Sequence, residues 1–245
     1  MRKALRAYGL LFRWQFLRQR QNIPVLLVIQ VALALGIVYG LAFLIPDIDK
    51  RSALFLATGA PTLTLLIMGL NVVPQEVSRA KLSGEAAYVA TLPVPRLAPA
   101  AAEVSFWLLV QLPGTFLALL VASIRFDFAL QVSPAVLPTM ALVALSGASV
   151  GYALAMLLKP QVANQLGSFI GIALLLFSPI NFPAERMPEA LQAIHQVLPV
   201  KYMADLIRWS LTGMTDTAIG LAFAVVTAWC VAGIAMSWRI AARRL

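Results

Sequence analysis

Six stretches of the chain are apolar over a length that could cross a lipid bilayer, and short polar or proline-containing segments separate them. A helix of about 20 apolar residues spans the roughly 30 Å hydrocarbon core of a membrane. Pro74 is expected to end the second stretch, and Pro179 the fifth. The pattern predicts six transmembrane helices, within residues 24–45, 52–73, 97–124, 134–158, 162–180 and 217–240.

Composition agrees with this prediction. Of 245 residues, 61% are apolar and 12% are charged, whereas soluble domains have about 45–50% and about 25%. Too few polar groups remain to cover a water-soluble fold, and a disordered chain would be more polar. The sequence therefore predicts an all-α integral membrane protein, with residues 1–245 forming a single transmembrane domain.

The charges indicate how the helices are oriented. Six spans place both termini on one side of the membrane. If that side is the cytoplasm, cytoplasmic segments hold 13 Lys and Arg and the outer segments hold 6. Cytoplasmic loops carry an excess of Lys and Arg, so both termini are predicted to be cytoplasmic. The net charge of +9 then indicates contact with anionic lipid, with no nucleic acid as a partner.

Residues 2–20 precede the first span and are predicted to form an amphipathic helix on the cytoplasmic membrane surface. At 100° per residue, Arg2, Arg6, Arg13 and Arg20 share one face. Aromatic and leucine side chains share another, at Leu5, Tyr8, Phe12 and Phe16. The alternative is a solvated basic tail, which would not need aromatic residues on one face.

Residues 74–96 form a long cytoplasmic connection between the second and third spans. A short helix is predicted from about Glu85 to Thr91, with Ser83 as its N-cap and Pro93 and Pro95 beyond its end. Glu85 is favourable in the first turn because of the helix dipole. The alternative is a loop that only joins two spans, although far fewer residues would suffice for that.

Residues 181–213 lie between the fifth and sixth spans, on the outer side. Pro188 suits the first turn of one helix, and Pro199 separates it from a second helix containing Tyr202. Both helices are too short and too charged to cross the membrane. They are predicted to form a re-entrant or interfacial hairpin before the last span.

Candidate catalytic motifs are weak. No Gly-Lys pair occurs, so the chain has no phosphate-binding loop of the Gly-Lys-Ser/Thr kind and is not expected to hydrolyse ATP. Gly147 to Gly151 fits a serine-nucleophile pattern, but it lies within a span, and the one histidine, His195, lies in the outer segment. The single cysteine, Cys230, excludes an internal disulfide or a cysteine cluster. We expect no catalytic site, no metal site and no cofactor held by this chain.

Small and polar residues inside the spans suggest where helices pack. Glycine pairs four residues apart favour close helix contact, within one subunit or between two, at Gly36/Gly40, Gly147/Gly151 and Gly167/Gly171. Amide side chains are candidates for packing hydrogen bonds or for a substrate pathway, at Gln30, Asn71, Gln111, Asn164 and Gln165. Ionisable residues are nearly absent from mid-span, which argues against an ion-coupled carrier.

The whole organisation resembles the membrane subunits of type-2 ABC transporters, the permeases of bacterial drug, polysaccharide and lipid exporters. The order of an N-terminal amphipathic helix, six spans and a long second connection carries part of the resemblance. Two motifs carry the rest. The first is Glu76…Ser83-Gly84-Glu85…Leu92-Pro93-Val94, and the second is Ser178-Pro179…Phe182-Pro183…Met187-Pro188…Leu198-Pro199-Val200…Tyr202…Arg208. The chain departs from the family pattern at Glu85 and Glu103.

The resemblance implies that a separate ATPase subunit, which binds ATP and Mg²⁺, docks on the 74–96 segment. The implied docking residues are Glu76, Arg79, Lys81, Gly84, Glu85, Tyr88 and Leu92. The implied re-entrant segment contains Phe182, Pro183, Pro188, Pro199, Tyr202 and Arg208. A second copy of the chain or a homologous permease completes the unit in the bacterial plasma membrane.

The predicted function is export of a hydrophobic or amphipathic substrate, drug or lipid-like, energised by the separate ATPase. The alternative is an ATP-independent protein, either a small carrier or an assembly scaffold. An intramembrane enzyme is a third possibility, which the missing base and metal ligands disfavour.

Overall fold

The computed structural model describes residues 2–44, 50–95, 98–126, 131–215 and 217–243, and these contain helices and no β-strand. A π-helical turn, Met68–Val72, joins α3 to α4, and a 3-10 turn, Ala184–Arg186, precedes α9. The α-helices are α1 (Arg2–Gln19), α2 (Ile23–Leu44), α3 (Lys50–Ile67), α4 (Val73–Leu82), α5 (Glu85–Thr91), α6 (Ala98–Phe126), α7 (Val136–Leu157), α8 (Pro160–Phe177), α9 (Glu189–Val197), α10 (Pro199–Thr212) and α11 (Ile219–Arg243).

Within the described ranges, six helical stretches are long and apolar enough to cross a membrane. Each corresponds to one of the predicted runs, so the all-α, multi-pass fold is confirmed. The predicted ends of the first run at Ile45 and of the third at Leu97 lie outside the described residues. The stretches are Ile23–Gly40, Arg51–Leu82, Ala98–Phe126, Val136–Leu157, Pro160–Phe177 and Ile219–Met236.

The second span is the central element of the bundle. In its most apolar window, 89% of the residues are buried, against 12% in the first span. Helix α3 packs against α2, α6, α7 and α10, and its Leu63 and Leu65 belong to the main apolar core. The first, fifth and sixth spans bury little of their surface within this chain. Their apolar outer faces are therefore available to lipid or to another subunit.

The prediction that Pro74 ends the second span is wrong, because one continuous helical stretch runs from Arg51 to Leu82. The π-helical turn explains why. Its Val73 N–H donates to the Met68 carbonyl, one residue further back than in an α-helix. A proline inside a regular α-helix clashes with the carbonyl four residues before it. For Pro74 that carbonyl belongs to Leu70, inside the widened turn, where the regular spacing is relaxed.

Two glycines, one in α7 and one in α8, pack directly against this widened turn. A Cβ added at Gly151 would overlap the Gly69 carbonyl oxygen. One added at Gly167 would overlap the Leu70 carbonyl oxygen. Only a residue without a side chain allows the helices to approach so closely.

The other members of these two pairs, Gly147 and Gly171, are also buried against the second span. A Cβ at Gly147 would lie 3.5 Å from Leu66 Cδ2. A Cβ at Gly171 would lie 3.3 Å from Asn71 Nδ2 and 3.7 Å from Ile67 Cγ1. The sequence left open whether such pairs meet a helix of the same subunit or of another. The alternative of a subunit interface is wrong at Gly147 and Gly171, because the chain's own second span occupies that face.

The glycine pair of α2 differs from the other two pairs. A Cβ at Gly36 or at Gly40 would meet nothing within 4 Å. These two residues therefore make no close helix contact with the described part of the chain. Of the three pairs, only this one remains free for contact outside the subunit.

Helix α1 forms as predicted and packs mainly against α6. Its buried face differs in part from the predicted one. Tyr8 and Phe12 pack around the buried Leu11, but Leu5 is 66% exposed and Phe16 is 40% exposed. The buried stripe instead continues to Gln15 and Gln19, polar residues that an apolar periodicity does not select.

The two short helices predicted before the last span are α9 and α10, with Pro199 in the first turn of α10. Pro188 is the N-cap of α9 and precedes its first turn. Helix α9 is fastened to the end of α8 by a 2.8 Å hydrogen bond between His195 Nε2 and the Phe177 carbonyl. The Tyr202 hydroxyl donates to the Gln196 carbonyl at 2.8 Å. Helix α10 packs on α3, α7 and α11.

Candidate functional site

The connection between the second and third spans contains the short helix predicted from the sequence. Helix α5 covers Glu85–Thr91. Its predicted N-cap, Ser83, is wrong: Gly84 is the N-cap, with φ of 76°, and no side chain caps the helix. The left-handed backbone at Gly84 turns the chain sharply out of α4, a conformation that glycine adopts without steric cost. The Ser83 hydroxyl instead points back to the Ala80 carbonyl.

Arg18, near the end of α1, holds both sides of this turn. Its guanidinium donates to Glu76 of α4 at 2.8 Å and also to Glu85 of α5. The three side chains retain only 15–23% of their exposure. Arg79 pairs with Glu76 from the solvent side. An arginine fork shared by two carboxylates fixes three helices relative to one another.

Lys81 fastens the end of α4 to α7, because its ammonium donates to the Ala155 carbonyl at 2.7 Å. The residues Glu76, Lys81 and Glu85 were predicted to contact a partner. The structure places all three in contacts within the chain. We conclude that Glu76 and Glu85 position α5 through Arg18, while Lys81 joins α4 to α7. Docking of a partner at these residues stays a prediction.

Two large apolar side chains on this connection are mostly exposed. Tyr88 is 62% exposed, and Leu82, at the end of α4, is 78% exposed. Leu92 differs from Tyr88, since it is half-buried and lines a cavity beside α5.

The segment before the last span is fixed by a buried ion pair. Arg208 is 2% exposed and donates to Asp205 at 2.7 Å within α10. Arg208 also donates to the Ile180 carbonyl at 3.2 Å, and its guanidinium lies 3.7 Å from the Phe55 ring centre. These contacts anchor α10 to α3 and to the chain after α8. Of the other predicted residues, Pro183 and Tyr202 are buried, Phe182 and Pro199 are half-buried, and Pro188 is exposed.

The amide side chains predicted for a substrate pathway have different environments. Asn71 accepts a 2.7 Å hydrogen bond from Ser168 of α8. Gln111 is 1% exposed, and neither of its amide atoms has a partner among the described residues. One buried atom of Gln30 and one of Asn164 also lack described partners, and Gln165 is exposed. Among these amides, only Asn71 is seen to join two of the candidate spans by a side-chain hydrogen bond within the described ranges.

Three residues important to these sites were not selected by sequence reasoning. Arg18 does not lie on the face of α1 that the other arginines share. That difference was the only feature of the sequence that set it apart. Asp205 lies three residues before Arg208, a spacing that suits a helical ion pair. Leu82 is an apolar residue at the end of a charged helix, and most of its side chain is left uncovered.

Comparison with known families agrees with this architecture. A search of curated proteins finds no match. A family model described as ABC-2 type transporter matches residues 6–212, more than four-fifths of the chain. The matched range runs from α1 through five candidate spans and α5 to the last turn of α10. The chain therefore belongs to the ABC-2 type transporter family, as a multi-pass membrane permease component.

Proposed function

We propose that the chain is the membrane subunit of an ATP-driven exporter, and that a separate ATPase subunit docks on α5. The substrate is hydrophobic or amphipathic, drug or lipid-like. The observation that carries the proposal is the exposure of two apolar side chains, Tyr88 on α5 and Leu82 at the end of α4. Arg18 connects these two helices through Glu85 and Glu76. Force on α5 reaches the bundle through α1 and α4.

The position of α5 in the bundle supports this role. Two described connections between candidate spans lie on the proposed cytoplasmic side. The α7–α8 junction is too short to fill a groove on a partner, whereas the connection that contains α5 is longer. A seven-residue helix is too short to be stable alone in water, so its contacts with α1 and α4 keep it formed. A helix that is already formed loses less conformational entropy on docking than a segment that must fold as it binds.

Orientation and assembly are parts of the same proposal. We place the chain in the bacterial plasma membrane with both termini in the cytoplasm, on the basis of the charge distribution. The proposal requires α1 and the α4–α5 connection to lie on the same side of the membrane. Ion pairs join them, through Arg18, Glu76, Arg79 and Glu85. A second copy of the chain, or a homologous permease, contacts the open α2 face at Gly36 and Gly40.

Truncation of the proposed anchor tests the docking site. An interface anchor typically contributes about 1–3 kcal/mol, so Tyr88→Ala should weaken binding of the ATPase about 5–150-fold. Binding is measured by co-purification from the same membranes, together with substrate-stimulated ATP hydrolysis. Arg79→Ala should have a mild effect, because an exposed ion pair contributes little.

Val197 offers a matched control, since this apolar side chain is 70% exposed on α9, in the outer hairpin. Val197→Ala should leave ATPase binding unchanged. Normal binding and coupling in Tyr88→Ala, together with a loss on changing Lys159 at the α7–α8 junction, would place the docking site elsewhere.

A further inference from the structure

An open cavity of about 790 Å³ lies beside α5 and is bordered by α1, α4, α5, α6 and the end of α7. Much of its wall is apolar. The apolar lining includes Leu11 and Trp14 of α1, Val77 of α4, Leu92 after α5, and Met156 of α7. A cavity of this volume is within the range that holds drug-sized molecules. The described residues of one chain form the cavity without a second subunit.

Two buried polar groups in this lining lack partners. Gln15 is 8% exposed, and its amide nitrogen has no hydrogen-bond partner in the part of the chain that the structure describes. Glu103, near the start of α6, has a buried carboxylate oxygen that is equally unpartnered there. A buried donor or acceptor without a partner costs about 1–3 kcal/mol. Such groups in a cavity wall point to a molecule that satisfies them.

Among the described lining residues, carboxyl groups come from Glu76, Glu85 and Glu103, and cations from Arg18 and Lys81. Arg79 pairs with Glu76 from outside the cavity. Arg18 is engaged by Glu76 and Glu85, and the Lys81 ammonium donates to a backbone carbonyl of α7. The unpartnered oxygen of Glu103 is therefore the atom that a cation in the cavity would meet.

We propose that this cavity binds a cationic amphiphile, a molecule with an ammonium group on an apolar body. The ammonium donates to the free oxygen of Glu103. The apolar body lies against Trp14, Leu92 and Met156. The free amide N–H of Gln15 donates a hydrogen bond to an acceptor atom on the ligand. An anionic ligand would meet the unpartnered carboxyl oxygen of Glu103, and a wholly polar one would leave the apolar wall unfilled. The site goes beyond the proposed transport function, since binding requires neither ATP nor a partner.

The test uses the full chain in nanodiscs and dansylcadaverine, which has a primary ammonium, an aromatic body and sulfonyl oxygens. Its N-acetyl derivative keeps the body and removes the charge. Binding is followed by energy transfer from tryptophan to the dansyl group, which Trp14→Phe should reduce. One charge-assisted hydrogen bond corresponds to about 10–100-fold in affinity. We expect the cation to bind more tightly than the acetylated compound by that factor.

Two variants separate charge recognition from cavity shape. Glu103→Gln should remove the preference for the cation and leave binding of the neutral compound nearly unchanged. Ala100→Phe, which places a ring in the cavity wall from α6, should weaken both compounds. Glu189→Gln removes one exposed carboxylate from the outer hairpin and should change neither.

Equal affinity of the wild-type chain for the two compounds would overturn the proposal, whatever the variants do. So would an unchanged preference for the cation in Glu103→Gln. Binding that persists in Ala100→Phe would place the ligand outside this cavity. Since no outcome involves ATP hydrolysis, failure of this proposal is distinguishable from failure of the docking proposal.

Discussion

Replacing Arg18 by methionine should loosen α5 while leaving the bundle folded. Arg18 connects α1 to Glu76 of α4 and to Glu85 of α5. Methionine has a similar length and favours helices, so α1 should persist. The variant leaves two carboxylates on either side of the Gly84 turn, of which Glu76 keeps its ion pair with Arg79. The direct consequence is more frequent local opening of α5.

The contacts set the size of this effect. Opening of α5 breaks the Arg18–Glu85 contact and leaves Arg18–Glu76 in place. A charge-assisted hydrogen bond contributes about 1.5–3 kcal/mol. The exposure of 19–23% that these two side chains retain admits water and lowers that contribution. The net loss is about 1–2 kcal/mol, which corresponds to a 5–30-fold increase in the opening equilibrium.

Amide hydrogen exchange of α5 measures that opening. Exchange in Arg18→Met should rise about 5–30-fold over residues 85–91, with little change in α3. Arg13→Met is the matched control, since Arg13 is an exposed arginine of the same helix. Equal exchange in the two variants would refute the reasoning. High salt should reduce the difference only in part, since the pair is partly buried.

Three further predictions test other contacts. Gly151→Leu should prevent stable folding, because the leucine side chain would overlap a neighbouring backbone carbonyl. Gly36→Leu should not disturb folding of the isolated subunit. Size-exclusion profiles of the two purified variants test the difference. Arg208→Met should lower stability by about 3–5 kcal/mol, because it leaves the buried Asp205 unpaired, and adding Asp205→Asn should recover part of the melting temperature. A cysteine at Glu189, in a chain without its native cysteine, should react with an impermeant thiol reagent in intact cells; reaction only after lysis would contradict the proposed orientation.

The sequence predicted most of the fold because the membrane imposes simple length and polarity rules. Six apolar runs correspond to six spans, and the helix from Glu85 to Thr91 was recovered with its bounds. Pro74 was misread because the π-helical turn before it leaves no mark in the hydropathy pattern. The turn is instead associated with tertiary contacts, since its carbonyls pack on Gly151 and Gly167 of other spans.

The site was less predictable than the fold for a similar reason. Periodicity grouped four arginines of α1 on one face, while the arginine that connects α1 to α5 lies elsewhere. Its partners follow it by 58 and 67 residues, and no local rule joins positions so distant. Composition likewise indicated few buried charges, yet Arg208 and Asp205 are buried together because α10 folds back onto α3. Long-range contacts of this kind become visible only in the assembled bundle.

Reconstitution tests the central claim most directly. Vesicles are prepared with the chain alone, with its co-purifying ATPase alone and with both, and ATP-dependent movement of a fluorescent amphiphile is followed. The account predicts movement only when both subunits and ATP are present, and its loss in the Tyr88→Ala complex. Movement by the chain alone, unaffected by ATP, would contradict the account and identify an ATP-independent carrier.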